Sequence, residues 1–124
     1  MRADGILVSV VTGVGNAALV NDVNHQIAPH LNRGLPLDWI VDADKLEKTE
    51  TSLMAPAVEL LGVFKKGGGR YLIVIATGML IRMTARTISF TASAAGASTI
   101  DAVVESMSEA LAKLEELRKR KESA

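Results

Sequence analysis

A chain of 124 residues makes one domain, spanning 1–124, long enough to bury roughly two-thirds of its unfolded surface in a single core. Fourteen basic residues balance fourteen acidic ones, which removes the electrostatic footprint of a general nucleic-acid binder, and the lack of cysteine excludes disulfides, thiol catalysis and cysteine-ligated metals. No signal peptide is legible after Arg2, and the longest apolar run, Tyr71 to Ile81, is too short to span a bilayer, so a soluble, cytoplasmic protein with neither nucleic-acid nor membrane partners is expected.

Ile6 to Thr12 is apolar on both alternating faces except at Ser9, as a strand covered on both sides requires. Gly13-Val14-Gly15-Asn16 reads as a turn, with Asn16 the N-cap of a helix that carries Leu19, Val20, Val23, Ile27 and Leu31 at three-and-four spacing. Pro29 should loosen its last turn before Asn32-Arg33-Gly34 ends it. Leu37 to Ala43 is a second strand, Asp44 to Glu50 a polar turn, Thr51 to Phe64 an amphipathic helix, Gly67 to Gly69 a glycine turn and Tyr71 to Thr77 a third strand. This β-α-β unit can return to the same sheet only in parallel.

Gly78 opens a third helix, with Leu80, Met83, Thr87, Ile88, Thr91 and Ala95 along one face and Gly96 as its stop. A largely apolar exposed face on this helix would suit a homodimer. Thr99 to Val104 is a short fourth strand, with Ile100, Ala102 and Val104 on one face. Ser106 and Glu109 form a capping box for a last helix whose stripe is Met107, Ala110, Leu111, Leu114 and Leu117. The closing Arg118 to Lys121 run is a solvated helix end, with Glu115–Lys119 and Glu116–Arg120 as four-apart pairs. Four β-α steps imply an α/β fold with a mostly parallel sheet, and ligand or partner sites then gather beyond the carboxyl ends of the strands.

Gly13-x-Gly15-x-x-Ala18 after a strand, with Asp42 and Asp44 ending the next one, matches the opening of a dinucleotide-binding unit: the glycines would admit a pyrophosphate and a carboxylate would take ribose hydroxyls. The plainer reading is a glycine turn that joins strand to helix. Asp38, Asp42 and Asp44 alternate and point to one side, but Thr12-Gly13 adds no acid for a magnesium site, so no metal is expected, and Asp42 and Asp44 are read as acceptors of turn N–H groups. His25 and His30 stand five apart, which does not suit a helical metal pair, and are read as surface or boundary residues. Trp39 belongs in the core, and Met79, Met83 and Met107 fill helical stripes. No nucleophile, base and orienting group fall together, so no enzyme activity and no cofactor are expected.

The span from Leu37 to Leu114 resembles the STAS domain, the fold of bacterial anti-sigma factor antagonists of the SpoIIAA-like group. In order, the features are the strand "IVDAD" followed by Glu50-Thr51-Ser52-Leu53, the turn and strand "KKGGGRYLIVIAT", the helix "GMLIRMTARTISF" and the segment "IDAVVESMSEAL". The family's phosphorylated serine or threonine maps to Thr51, with Glu50 in place of its flanking Asp and Leu53 in place of its Gly. The resemblance implies a four- to five-stranded, mostly parallel (mixed) sheet with about four helices in β-α repeats. It also implies a non-enzymatic regulatory domain that binds a protein partner through Glu50, Thr51, Ser52 and Leu53 together with Gly78 and Met79. A phosphate on Thr51 or Ser52 would meet the positive end of a helix and could switch that interface, whereas the simpler role for either hydroxyl is that of N-cap.

Overall fold

The computed structural model describes residues 5–96 and 100–123. Strands β1 (Ile6–Gly15), β2 (Leu37–Thr49), β3 (Gly69–Ile75) and β4 (Ala102–Val104) alternate with helices α1 (Ala17–Ile27), α2 (Met54–Lys66), α3 (Met79–Ala94) and α4 (Met107–Ser123). Short 3-10 turns cover Ala28–His30 and Thr51–Leu53. Among the described residues the sheet has the order β1-β2-β3-β4, and every neighbouring pair is parallel. The α/β class and the four-helix count are as expected. Among the described residues the four strands are all parallel, in keeping with the mostly parallel sheet expected, and Thr99, the expected start of the fourth strand, lies outside the described residues.

Because the strands succeed one another in one direction, crossovers of one hand put α1, α2 and α3 on the same face. Leu7, Val11, Trp39, Leu72 and Val74 from the sheet pack there against Val23 and Ile27 of α1, Leu61 and Phe64 of α2, and Ala85 and Ala92 of α3. The opposite face, with Ile6, Ile40, Ile73 and Ile75, is covered by Ala110 and Leu114 of α4. Strand residues are therefore apolar on both sides, which is why they lack a polar alternation. Ser9, the polar interruption in β1, is buried and its Oγ accepts the indole N–H of Trp39 at 3.0 Å. Ser9→Ala would strand that donor and is expected to lower the unfolding free energy by about 1–2 kcal/mol in urea titrations.

Local signals fix several boundaries as read from the sequence. Asn16 Oδ1 accepts the Leu19 N–H at 3.0 Å, Ser106 Oγ accepts the Glu109 N–H at 3.1 Å, and Pro29 marks the change from α-helix to 3-10 turn. Other expectations fail. β2 does not turn at Asp44 but continues to Thr49, and β1 continues through the glycines, so the pair forms a parallel arm that runs past the ends of β3 and β4. Two register shifts, between Val10 and Thr12 and between Gly13 and Val14, bend that arm. Pairing with β1 outweighs the turn propensity of a polar segment.

The stripe assigned to α3 is also displaced. Ile81, Ala85, Ile88 and Ala92 face the core, while Leu80 and Met83 point outward. Small alanines let the helix approach the sheet closely, and the larger residues of the other face are left in solvent. Ile100 precedes β4 and packs with the α1–α3 core, whereas Ala102 and Val104 pack with the α4 core.

Packing on the three-helix side is incomplete. A cavity of about 140 Å³ lies between the sheet and α1, α2 and α3. At roughly 24 cal/mol per Å³, an unfilled void of that size costs on the order of 3 kcal/mol relative to a filled core.

Candidate functional site

The arm and α3 together make an open groove at the carboxyl end of the sheet. One wall is the end of β2 and the residues after it, Leu46 to Thr51, and the other is the start of α3, from Gly78 through Met83 to Thr87. Met79, Leu80 and Met83 stand 75%, 76% and 55% exposed there. Met79 and Met83 are thus surface residues rather than core fillers, while Met107 does pack beneath α4. Three large, mobile apolar side chains around one depression are unusual for a solvated surface. Glu47, Lys48 and Glu50 supply its charged rim.

The structure brings Glu50 and Thr51 together with Gly78 and Met79 in this groove. Ser52 and Leu53 point elsewhere. Leu53 is buried in the main core, near Gly15 and the cavity, while Ser52 Oγ accepts the backbone N–H of Ala17 at 3.4 Å. Neither Thr51 nor Ser52 caps α2, which begins at Met54 behind a 3-10 turn with Leu53 at its N-cap and no side-chain capping bond. Ser52 instead serves the start of α1, beside Asn16. Thr51 is exposed on the rim. Pro56 falls in the first turn of α2, where a missing N–H costs little.

The glycine segment does not form the expected turn. Gly13 and Gly15 are strand residues paired with Leu46 and Thr49, and only Asn16 separates β1 from α1. Gly13 takes φ +80°, and a Cβ on Gly15 would lie 3.1 Å from Thr49 Cγ2, so these glycines serve the bent arm. A dinucleotide unit also uses the crevice where strand order reverses, and the order β1-β2-β3-β4 contains no reversal among the described residues. Asp42 Oδ1 accepts the N–H of Asp44 at 3.1 Å, and Asp44 in turn accepts both the N–H and the hydroxyl of Thr77. The Thr77 hydroxyl and N–H hold the Asp44 carboxyl below its ordinary value. Asp44 thus ties β2 to Thr77, beyond β3, across strands, whereas Asp42 accepts a local N–H two residues on.

At the opposite end of the sheet lies an ionic group that the sequence does not reveal. Asp38 is wholly buried and is gripped by Arg70 (Nε 3.0 Å, Nη2 2.7 Å) and by Arg118 (Nε 2.7 Å, Nη2 2.6 Å). Burial alone would raise its pKa, but hydrogen bonds and charge from Arg70 and Arg118 hold the carboxyl below the usual range. Arg118 is therefore a core clamp of α4 rather than part of a solvated helix end, while Glu115–Lys119 and Glu116–Arg120 pair on the surface as expected. Asp101 Oδ2 accepts the Leu72 N–H at 2.9 Å, and burial with the nearby Asp38 charge pushes its pKa up. His25 is exposed, His30 half-buried and Trp39 deeply buried, as expected. Among the described residues no three histidine or acidic side chains converge in a metal-like cluster, and no helix is long and apolar enough to cross a membrane.

No protein-family model matches this chain, and no curated protein matches it. The chain forms a parallel α/β domain of successive β-α units with a largely apolar groove beyond the strand ends.

Proposed function

We propose that this chain is a non-enzymatic regulatory domain of the STAS, SpoIIAA-like kind, and that it binds a protein partner through the groove between the β1–β2 arm and α3. The observation that carries the reading is the convergence of Glu50 and Thr51 with exposed Met79, Leu80 and Met83. The sequence resemblance assigns the partner surface to this same place, and methionine side chains adapt readily to a partner's apolar surface. Phosphorylation of Thr51 would add close to two negative charges to a rim that already carries Glu47 and Glu50, which would oppose docking of an apolar or acidic partner. The homodimer expected from the sequence would use the same helix, extended to Phe90, which is 78% exposed.

The test is affinity capture from native cell extract with the wild-type protein, Thr51→Glu and Met79→Asp, read by mass spectrometry. Light scattering of the purified proteins reports self-association alongside. A partner held by the wild type, and reduced about tenfold or more by each variant, is the expected result. Equal capture by all three proteins would remove the groove as the interface, and a partner lost only with Met79→Asp would remove the phosphorylation switch.

A further inference from the structure

The cavity between the sheet and the three-helix layer is lined almost entirely by hydrocarbon. Trp39, Val74, Leu61 and Ala85 are among its walls, and its polar contributors are the hydroxyls of Thr49 and Thr84. Thr84 Oγ1 donates its proton to the Leu80 carbonyl at 2.9 Å, which leaves it to accept the Thr49 hydroxyl at 3.4 Å. A water molecule inside would need two to four polar partners and would find few, so the space is dry. Cavities of about 150 Å³ with apolar linings stay empty of water and bind benzene or xenon, and this one is of that size.

Its position gives it a route to the surface. Leu46, Thr49, Ile81 and Thr84 line both the cavity and the outer groove, and all four are half-buried. The two spaces thus adjoin one another at these four residues, with the Thr49 and Thr84 hydroxyls 3.4 Å apart among them. We propose that this cavity is a binding site for a small uncharged hydrocarbon group of about benzene size, admitted from the groove past Thr49 and Thr84. The group belongs either to a free small hydrocarbon or to the tail of a short fatty acid whose carboxylate stays in the groove. The site does not depend on a protein partner and goes beyond the regulatory reading.

The experiment is a titration of the purified protein with benzene and, separately, with octanoate, followed by methyl carbon–proton correlation spectra. Saturable shifts of Val74 and Leu61 methyls with benzene are expected. The same shifts with octanoate, accompanied by Met79 and Met83, identify a fatty-acid tail as the source; their restriction to benzene identifies a free hydrocarbon. Ala85→Leu, which fills the cavity from α3, is expected to weaken benzene binding at least tenfold. Ala57→Leu does the same from α2 if the first variant does not fold. The proposal is overturned if core methyls do not shift up to the solubility limit of benzene, or if the shifts are confined to Met79 and Met83 and persist unchanged in a folded cavity-filling variant.

Discussion

Asp38→Asn is expected to lower the unfolding free energy by about 3 kcal/mol at pH 7, a loss readable by urea denaturation. The asparagine keeps the shape of the side chain but offers one acceptor oxygen and no charge where two guanidinium groups converge. Removing one partner of a buried ion pair commonly costs 3–5 kcal/mol, and the lower end applies because the two arginine side chains are 26% and 30% exposed and can reach water. The loss should be felt along the whole chain, since this carboxylate ties the start of β2 to the start of β3 and to α4, 80 residues further on.

The pH dependence has a definite sign. The Asp38 carboxyl has a folded-state pKa below its unfolded value of 3.8, so the clamp contributes fully above that value and is lost as pH falls from there through the lower folded value. The stability difference between wild type and Asp38→Asn should therefore be flat from about pH 5 to pH 8 and shrink on further acidification. A difference that stayed constant down to pH 2 would mean that the carboxylate's charge contributes nothing.

Phe64→Ala is expected to cost about 4 kcal/mol, the largest effect of any single truncation considered. The ring is wholly buried, lies 5.5 Å from the Trp39 ring centroid at an interplanar angle of 46°, and holds the end of α2 against the sheet. Part of the loss is the aromatic pair itself, worth roughly 0.5–1.5 kcal/mol beyond the buried area, and part is the void left behind. Tryptophan fluorescence reports the change directly, because Trp39 is the one indole in the chain.

The same ring explains Gly69. A Cβ at that position would stand 2.5 Å from three atoms of Phe64, a wholly buried core side chain. Gly69→Ala should thus be destabilising by about 2 kcal/mol through overpacking. Combined with Phe64→Leu it should cost clearly less than the sum of the two single changes. Strict additivity would show that the contact with Phe64 is not the reason for glycine there.

Much of the groove could be read in advance, though not the way it is built. The resemblance puts Thr51 and Met79 in one surface, and they do share one depression. Both faces of α3 carry apolar residues, and the spacing of Leu80 and Met83 fits a stripe as well as that of Ile81 and Ala85 does. Hydrophobicity cannot choose between two such faces, whereas the depth at which the helix sits does. Ala85 and Ala92 allow close approach to the sheet, and that decides the matter. Local pattern makes Ser52 a cap for its own helix, but its hydroxyl serves Ala17, 35 residues earlier, a partnership with no local signal.

Local chemistry in the sequence determined the α/β class, the β-α succession, the caps at Asn16 and Ser106 and the stripe of α4, because periodicity and capping act within a few residues. Tertiary structure alone decided the rest. Pairing with β1 carried β2 through a six-residue segment, five of it polar or charged, and made the arm; convergence of residues from β2, β3 and α4 made the Asp38 clamp; and imperfect filling between three helices and the sheet left the cavity. Each of these depends on which distant segments meet, and on how much space remains once they have packed.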